Sequence, residues 1–303
     1  MWVRNMRYNV ENADNKVLVK GITDFNLKET FECGQCFRWE EENDGSYTGV
    51  AYDRVVNVKL EDDTLTIDNT NLNDFYDIWF DYFDLGRDYG KIKENLSKDP
   101  ILKEAIRYGQ GIRVLRQDTW ETLISFIVSQ NNRIPQIKKV IENLSKSFGI
   151  PIEYKGKIYY TFPKAEEFII FDIDTIAKSK CGFRAKYIID AASKVFTGEV
   201  NLLKLMEYST NDIRDVLMSI NGVGPKVADC VILYSMGKYD TFPTDVWIKR
   251  IVEYLYLKRE GKPLEIQLFA IDKFGELSGF AQQYLFYYAR EHISKEIFKE
   301  RKK

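Results

Sequence analysis

At 303 residues, with 45% hydrophobic and 30% charged side chains, the chain can bury a full core and predicts two domains, or one plus an appendage. Its net charge of −2 and pI near 5.8 argue mildly against a nucleic-acid partner, and no apolar run reaches the roughly 18–20 residues that span a bilayer. The one histidine, His292, excludes His-rich metal sites and leaves a Ser-His-Asp or Cys-His machine a single residue to use.

The N-terminal Met1–Arg7 stretch lacks the apolar core of a signal peptide. Four cysteines (Cys33, Cys36, Cys181, Cys230) are too few for a disulfide framework at this length, so a reducing cytoplasm is expected. Charge is uneven: residues 1–110 carry about −8 and residues 111–303 about +6. A mildly basic second part suits a phosphate-contacting face, and an ordinary solvated surface would look the same.

In chain order, the first pattern runs from Tyr8 to about Thr70 as short alternating stretches. They are Val17–Lys20, Thr30–Cys33, Cys36–Trp39, Ser46–Tyr52, Val55–Leu60 and Thr64–Ile67, broken by Asn-Asp-Gly and Glu-Asp-Asp. Period-two alternation of this kind predicts antiparallel strands in a meander. Residues 71–86, rich in Asp, Phe and Tyr, predict a helix ending at Gly86. From about residue 100 apolar spacing of three to four predicts helix nearly throughout, notably over Leu102–Tyr108, Thr119–Ser129, Ile134–Phe148, Ala185–Thr197, Asn201–Tyr208, Asn211–Ile220, Lys226–Met236, Val246–Tyr256, Leu264–Phe274 and Gln282–Ile297. The expected class is α+β: an N-terminal antiparallel sheet domain with flanking helices over 1–110, joined to a larger all-helical domain over 111–303.

The most informative segment is Asn221-Gly-Val-Gly-Pro-Lys226-Val-Ala-Asp-Cys230, with Asp245 following in Phe-Pro-Thr-Asp-Val. It predicts a helix–hairpin–helix over 211–236. Gly222, Val223 and Gly224 form a tight turn whose N–H groups can hold a phosphate, and Pro225 opens the next helix, where its missing N–H costs nothing. A glycine turn between packed helices gives the same pattern, and short glycine motifs match by chance. Lys226 falls in the first helical turn, where the macrodipole opposes a cation and lowers the pKa. A neutral amine there can attack a sugar carbon and form a Schiff base. Asp245 reads as an N-cap whose carboxylate can also stabilise positive charge developing on a sugar. Cys230, one turn after Lys226, shares its helix face, as a small buried residue also would. The adjacent Asp229 points elsewhere and is expected to be structural or solvated.

Leu217-Met-Ser-Ile-Asn-Gly-Val-Gly-Pro-Lys226-Val-Ala-Asp-Cys230 with Pro243-Thr-Asp245-Val resembles the helix–hairpin–helix–Gly/Pro–Asp signature of base-excision DNA glycosylases. Three further segments are similar to the 8-oxoguanine DNA glycosylase family: Cys33-Gly34-Gln35-Cys36-Phe37-Arg38-Trp39, Arg113-Val-Leu-Arg-Gln117-Asp118 through Ser129-Gln-Asn131-Asn132, and Gly279-Phe-Ala-Gln282-Gln-Tyr-Leu-Phe286. They occur in the family's order from about residue 30 to 290, and the chain resembles a bacterial branch.

The resemblance implies a bifunctional glycosylase/AP lyase acting on double-stranded DNA that contains 8-oxoguanine, with no cofactor and no metal. It implies Lys226 as nucleophile and Asp245 as its anionic partner. Gly34 would present a backbone carbonyl to the flipped base, Phe286 and Cys230 would sandwich that base, and Gln282 would bond its Watson–Crick edge. Asn131 would fill the gap in the duplex and Phe183 would wedge at the opposite base. 8-oxoguanine differs from guanine in carrying a donor at N7, so a fixed carbonyl favours the lesion. Read without the family, Gly34 is equally a strand bulge, Phe183 and Phe286 are core residues, and Asn131-Asn132 is a connecting turn. Cys33-Gly-Gln-Cys36 has no second cysteine pair or nearby histidine to make it a metal or redox site.

Two positions depart from the eukaryotic pattern. Gln136 stands where that pattern has an arginine for the opposite cytosine, which puts opposite-base discrimination in doubt. Trp247 stands where it has a histidine, so any phosphate contact there must use an indole N–H. Two rivals stand: a related glycosylase for another oxidised base, disfavoured because no cysteine follows Cys230 to hold an iron–sulfur loop, and a DNA damage-binding module without catalysis, opposed by Lys226 and Asp245. A cytoplasmic, nucleoid-associated monomer with no membrane contact is expected.

Overall fold

The computed structural model describes residues 8–293, so the readings of Met1–Arg7 and of helix running on to Ile297 lie outside it. Strands β1 (Asn9–Ala13), β2 (Lys16–Lys20), β3 (Trp39–Glu41), β4 (Tyr47–Ala51), β5 (Arg54–Glu61) and β6 (Thr64–Asp68) form one antiparallel sheet in the order β1-β2-β6-β5-β4-β3. Alternation places the core side: Val17 and Val19 of β2 stand opposite Ile67 and Leu65 of β6, and all four are fully buried. That side packs on Phe31, Phe75, Trp79 and Phe83, and the Phe31 ring stacks 4.3 Å from the Trp39 ring system.

β4 is buried on both faces, which alternation alone does not foretell. Its second face lies under a hairpin, β7 (Pro151–Tyr154) and β8 (Lys157–Tyr160), sent back from the helical part; Val50, Val55 and Tyr154 make a small core there. The expectation of helix nearly throughout after residue 100 is corrected here. Lys155 and Gly156 at the tip both have positive φ, as a two-residue hairpin demands, and the lysine disguises a turn usually marked by Asn or Asp before Gly.

Other local differences have similar causes. Thr30–Cys33, expected as strand, falls in a Leu27–Phe31 helix and the turn after it, because Asn26 caps that helix by accepting from Glu29 N at 3.0 Å. Of Cys36–Trp39 only Trp39 enters a strand. The helix expected to reach Gly86 stops at Tyr82. An unforeseen helix, Tyr89–Leu96, starts at a cap on Asp88, and Asn201–Tyr208 shrinks to Leu202–Leu205.

Six helices build the site: α1 (Thr119–Ser129), α2 (Ile134–Phe148), α3 (Thr210–Met218), α4 (Pro225–Ser235), α5 (Val246–Val252) and α6 (Ser278–Tyr288). α4 is buried from Val227 through Ser235 and is the central helix, apolar on nearly every side. Leu123, Ile124 and Ile127 of α1 belong to the same core, as do Phe280, Ala281 and Leu285 of α6. Residues 111–117 run extended between sheet and helices and bond to both. Gly111 O accepts from Asn26 N (2.8 Å), Leu115 N donates to Gln35 Oε1 (2.9 Å), and Gln117 N donates to Tyr234 O (2.8 Å). This stitching holds the loop over residues 32–38 against α4 and α6.

Candidate active site and nucleic-acid interface

The hairpin between α3 and α4 is shaped by one strict glycine. Gly222 has φ +82°, and a Cβ there would lie under 3.0 Å from three atoms of the Tyr187 ring. Asn221 donates from its backbone N and side-chain Nδ2 to the two oxygens of Asp190, at 2.7 and 2.8 Å. Val223 is buried and its N–H turns inward to Ile220 O at 3.0 Å, so it anchors the turn. Gly224 has an ordinary negative φ; its lack of a side chain leaves open space at the start of α4, with Pro225 next. Among the described residues, neither Gly222 N–H nor Gly224 N–H meets an acceptor, so both are available to a phosphate, together with the α4 N-terminus.

Lys226 is half-buried in the first turn of α4, where its Nζ lies 3.3 Å from Ser129 Oγ and 5.0 Å above the centre of the Phe126 ring. One turn further, Cys230 is buried, and its thiol is pushed up to about 12 by that burial, opposed first by the Lys226 charge. Asp245 caps α5 through Ile248 N at 2.7 Å, and its charge adds to the upward push on the Cys230 thiol. Asp229 faces away, buried against Arg214 (2.7 Å) and Gln267; burial raises its carboxyl despite the guanidinium, and its part is structural.

Gly34 and Phe286 meet across the domains. Gly34 has φ +85°, and a Cβ on it would come within 3.2 Å of Phe286 Cε1. The backbone conformation and the close approach both favour glycine, and Phe286 is partly buried, packed against the helical core with part of its ring open. Gln282 is buried beside Tyr234, whose hydroxyl lies 3.4 Å from Gln282 Oε1 and 2.7 Å from Gln283 Oε1. The Tyr234 ring stacks on Phe126 at 5.4 Å and 18°, so the base-side and lysine-side residues share one aromatic support.

Asn131 follows α1 in an exposed turn with φ +47°. The buried Arg184 holds that turn, donating from Nε to Gln130 O at 3.1 Å and from Nη2 to Asn131 O at 3.3 Å. Its guanidinium also covers the Phe183 ring at 4.5 Å, and Phe183 meets Tyr187 edge-on at 6.1 Å. Phe183 is 55% exposed, so it is no core residue. Asn131, Phe183 and Gly222 are thus joined through Arg184 and Tyr187. Gln136 is exposed on the first turn of α2, and Trp247 is half-buried on the first turn of α5.

Sequence reasoning missed Ser129, Phe126, Tyr234, Gln283, Arg184 and Tyr187 as parts of the site. Ser129, Phe126 and Gln283 lie inside the family-like segments, and Arg184 and Tyr187 flank Phe183, so all five could have been singled out; Tyr234 carries no signal beyond helical spacing. All four cysteines are free and buried, and among the described residues no three His, Cys, Asp or Glu side chains converge as a metal site. A cavity of about 490 Å³ beside the site, lined by Phe37, Lys138, Ser145 and Tyr159, does not include Lys226.

The model of the 8-oxoguanine DNA glycosylase N-terminal domain matches residues 17–123, and that of the HhH-GPD superfamily base excision DNA repair protein matches residues 124–271. The chain is 30% identical to the N-glycosylase/DNA lyase OGG1 of Arabidopsis thaliana, over 87% of its own length and 77% of that protein. The chain belongs to the 8-oxoguanine N-glycosylase/DNA lyase family. Two solved members show how far the likeness reaches. The 8-oxoguanine glycosylase/lyase of Clostridium acetobutylicum, solved with double-stranded DNA carrying cytosine opposite 8-oxoG, is 46% identical with a TM-score of 0.93, covering 95% of this chain and 100% of that one. MBOgg1, solved with a low-affinity DNA ligand, is 83% identical with a TM-score of 0.94, covering 94% and 99%. The α+β architecture, a six-stranded antiparallel sheet followed by a helical helix–hairpin–helix domain, is that of the family.

Proposed function

We propose that this protein is a bifunctional DNA glycosylase/AP lyase that removes 8-oxoguanine from duplex DNA in base excision repair. The observation that carries the reading is the position of the Lys226 amine: half-buried at a helix start, beside Ser129 Oγ and Cys230, directly after a hairpin with two open N–H groups.

In this reading the hairpin and the α4 N-terminus hold phosphates, while Asn131 and Phe183 occupy the space left in the duplex by the extruded nucleotide. Gln136 and Trp247 lie along the same DNA path. The base enters between Phe286 and Cys230, with Gln282 on its Watson–Crick edge and the Gly34 carbonyl at N7. The Lys226 amine in its neutral form attacks C1′ and the C1′–N9 electron pair leaves with the base, which takes up the proton shed by the attacking nitrogen. Ring opening then gives the Lys226 Schiff base. Loss of a C2′ proton expels the 3′ phosphate by β-elimination, and water releases the lysine. The Asp245 carboxylate stabilises the positive charge that grows on the sugar.

The proposed nucleophile and base-contacting residues all lie on one chain, so the reading is of a monomer, and its DNA substrate places it on the nucleoid. The 46% identity to the Clostridium enzyme supports a place in the bacterial branch. Borohydride reduction during reaction with an 8-oxoguanine duplex is expected to trap a covalent protein–DNA adduct, and Lys226→Gln is expected to abolish both the adduct and strand cleavage. An undiminished adduct in that variant would overturn the assignment.

A further inference from the structure

Of the four carbonyls from Glu32 to Gln35, all but that of Gly34 accept a hydrogen bond. Glu32 O accepts from Arg290 Nη2 at 2.6 Å, Cys33 O from Gln283 Nε2 at 3.1 Å, and Gln35 O from Gln117 Nε2 at 2.8 Å. The Gln35 side chain is fully buried and locked as well, donating to Thr30 O and Arg113 O at 2.8 Å each and accepting from Leu115 N. The Gln35 side chain also reaches the Cys33 sulfur through Nε2 at 3.3 Å. Among the described residues nothing donates to the Gly34 carbonyl.

We infer that Gln283 is a specificity-determining positioning residue: it clamps the Cys33 carbonyl so that the Gly34–Gln35 peptide can offer the base only its carbonyl and never its N–H. The inference rests on the reading of Gly34 given above and goes beyond it. A glycine at φ +85° sits where a peptide flip meets little steric resistance. Flipping the Gly34–Gln35 peptide would turn the Gln35 N–H toward the base. That donor suits the N7 lone pair of guanine and opposes the N7–H of 8-oxoguanine, so the flip would invert the preference. Pinning the carbonyls on both sides of Gly34 blocks it. Gln283 is itself oriented by Tyr234, whose hydroxyl donates to its Oε1 at 2.7 Å and leaves Nε2 to face Cys33. The same hydroxyl lies 3.4 Å from Gln282 Oε1, so one tyrosine aligns the readers of two edges of the base.

The test is the ratio of affinities for two uncleavable duplexes, one with 2′-fluoro-8-oxodeoxyguanosine and one with 2′-fluorodeoxyguanosine, measured for the full chain. Gln283→Leu removes the donor at similar volume and is expected to lower the ratio about tenfold to a hundredfold, the loss of one buried hydrogen-bonded constraint. Gln283→Glu keeps an acceptor for Tyr234 but sets an oxygen against Cys33 O, and is expected to lower the ratio at least as far. A general weakening of the fold would lower both affinities together and leave the ratio unchanged. A ratio within twofold of the parent in a folded Gln283→Leu protein overturns the inference. Should that variant fail to fold, Tyr234→Phe reads the same ratio with a smaller, few-fold fall, and no fall overturns it. A parent protein that binds both duplexes equally overturns the Gly34 reading itself, a result distinct from failure of the clamp alone.

Discussion

The hairpin over Asn221–Lys226 and the loop over Glu32–Cys36 are both glycine-bearing turns at the site, and they are held in opposite ways. The hairpin's partners are near in sequence: Asp190 and Tyr187 lie within about 35 residues, and its conformation follows from one positive-φ glycine and one proline. The loop's partners are Gln117, Gln283 and Arg290, at separations of 82, 250 and 258 residues. A phosphate is the same at every nucleotide, so a locally built set of backbone N–H groups is enough to grip it. Telling 8-oxoguanine from guanine turns on one proton at N7, and that demands a carbonyl whose direction is set by rigid elements on several sides.

If this division holds, damage to the hairpin should lower every activity together, and damage to the loop should spare the steps that need no base. Gly222→Ala forces a Cβ into the Tyr187 ring at a positive φ. It is expected to cost about 1–3 kcal/mol of stability, seen as a lower Tm, and to weaken binding to 8-oxoguanine and abasic duplexes alike. A duplex-selective loss would break the comparison. Gly34→Ala is expected to slow 8-oxoguanine release about tenfold to a hundredfold in single-turnover assays, because its Cβ crowds Phe286 and strains the turn. Cleavage of a preformed abasic site should stay near the parent rate. Equal loss of both would make the loop a general scaffold.

Phe183→Ala sharpens the boundary from the DNA side. With 55% of the side chain exposed, the stability change should fall within about 0.5 kcal/mol, while lesion excision slows several-fold; a large drop in Tm with unchanged excision would count against a wedge. The smallest effect concerns the outer anchor of the loop. Burial pushes Glu121, 3.3 Å from Arg38, up to about 7 against the pull of that guanidinium. A raised pKa means the folded state favours the protonated acid, so this stability is present below about 4.5 and is lost as pH rises through about 7. Glu121→Gln escapes that loss. Its Tm relative to the parent should climb by roughly 2–4 °C between pH 4.5 and 8, a modest amount because 18% of the Glu121 side chain still meets solvent. A Tm difference flat with pH would show that the carboxylate is well solvated.

Reading the chain alone singled out Lys226, Asp245, Gly222 and Pro225, because each sits at a turn or a helix end that leaves a mark in neighbouring residues. It singled out Gly34, Gln282, Phe286, Asn131 and Phe183 only through likeness to a family, since a strand bulge or a core phenylalanine would read identically. Ser129 beneath the lysine and Gln283 behind the loop were passed over, as their partners lie 97 and 250 residues away. The hairpin over 151–160 was missed for a related reason: it is stabilised by docking on β4 and announced by a lysine-glycine turn that pattern alone does not mark.

What the residues by themselves determined is a glycine turn leading straight into a helix with a lysine in its first turn, since proline, glycine and helix dipole act over a few peptide units. Which carbonyl between Glu32 and Gln35 is left without a donor was decided only by the packed molecule. Hydrogen bonds from the far end of the chain satisfy its neighbours, and no local propensity encodes a donor 250 residues distant.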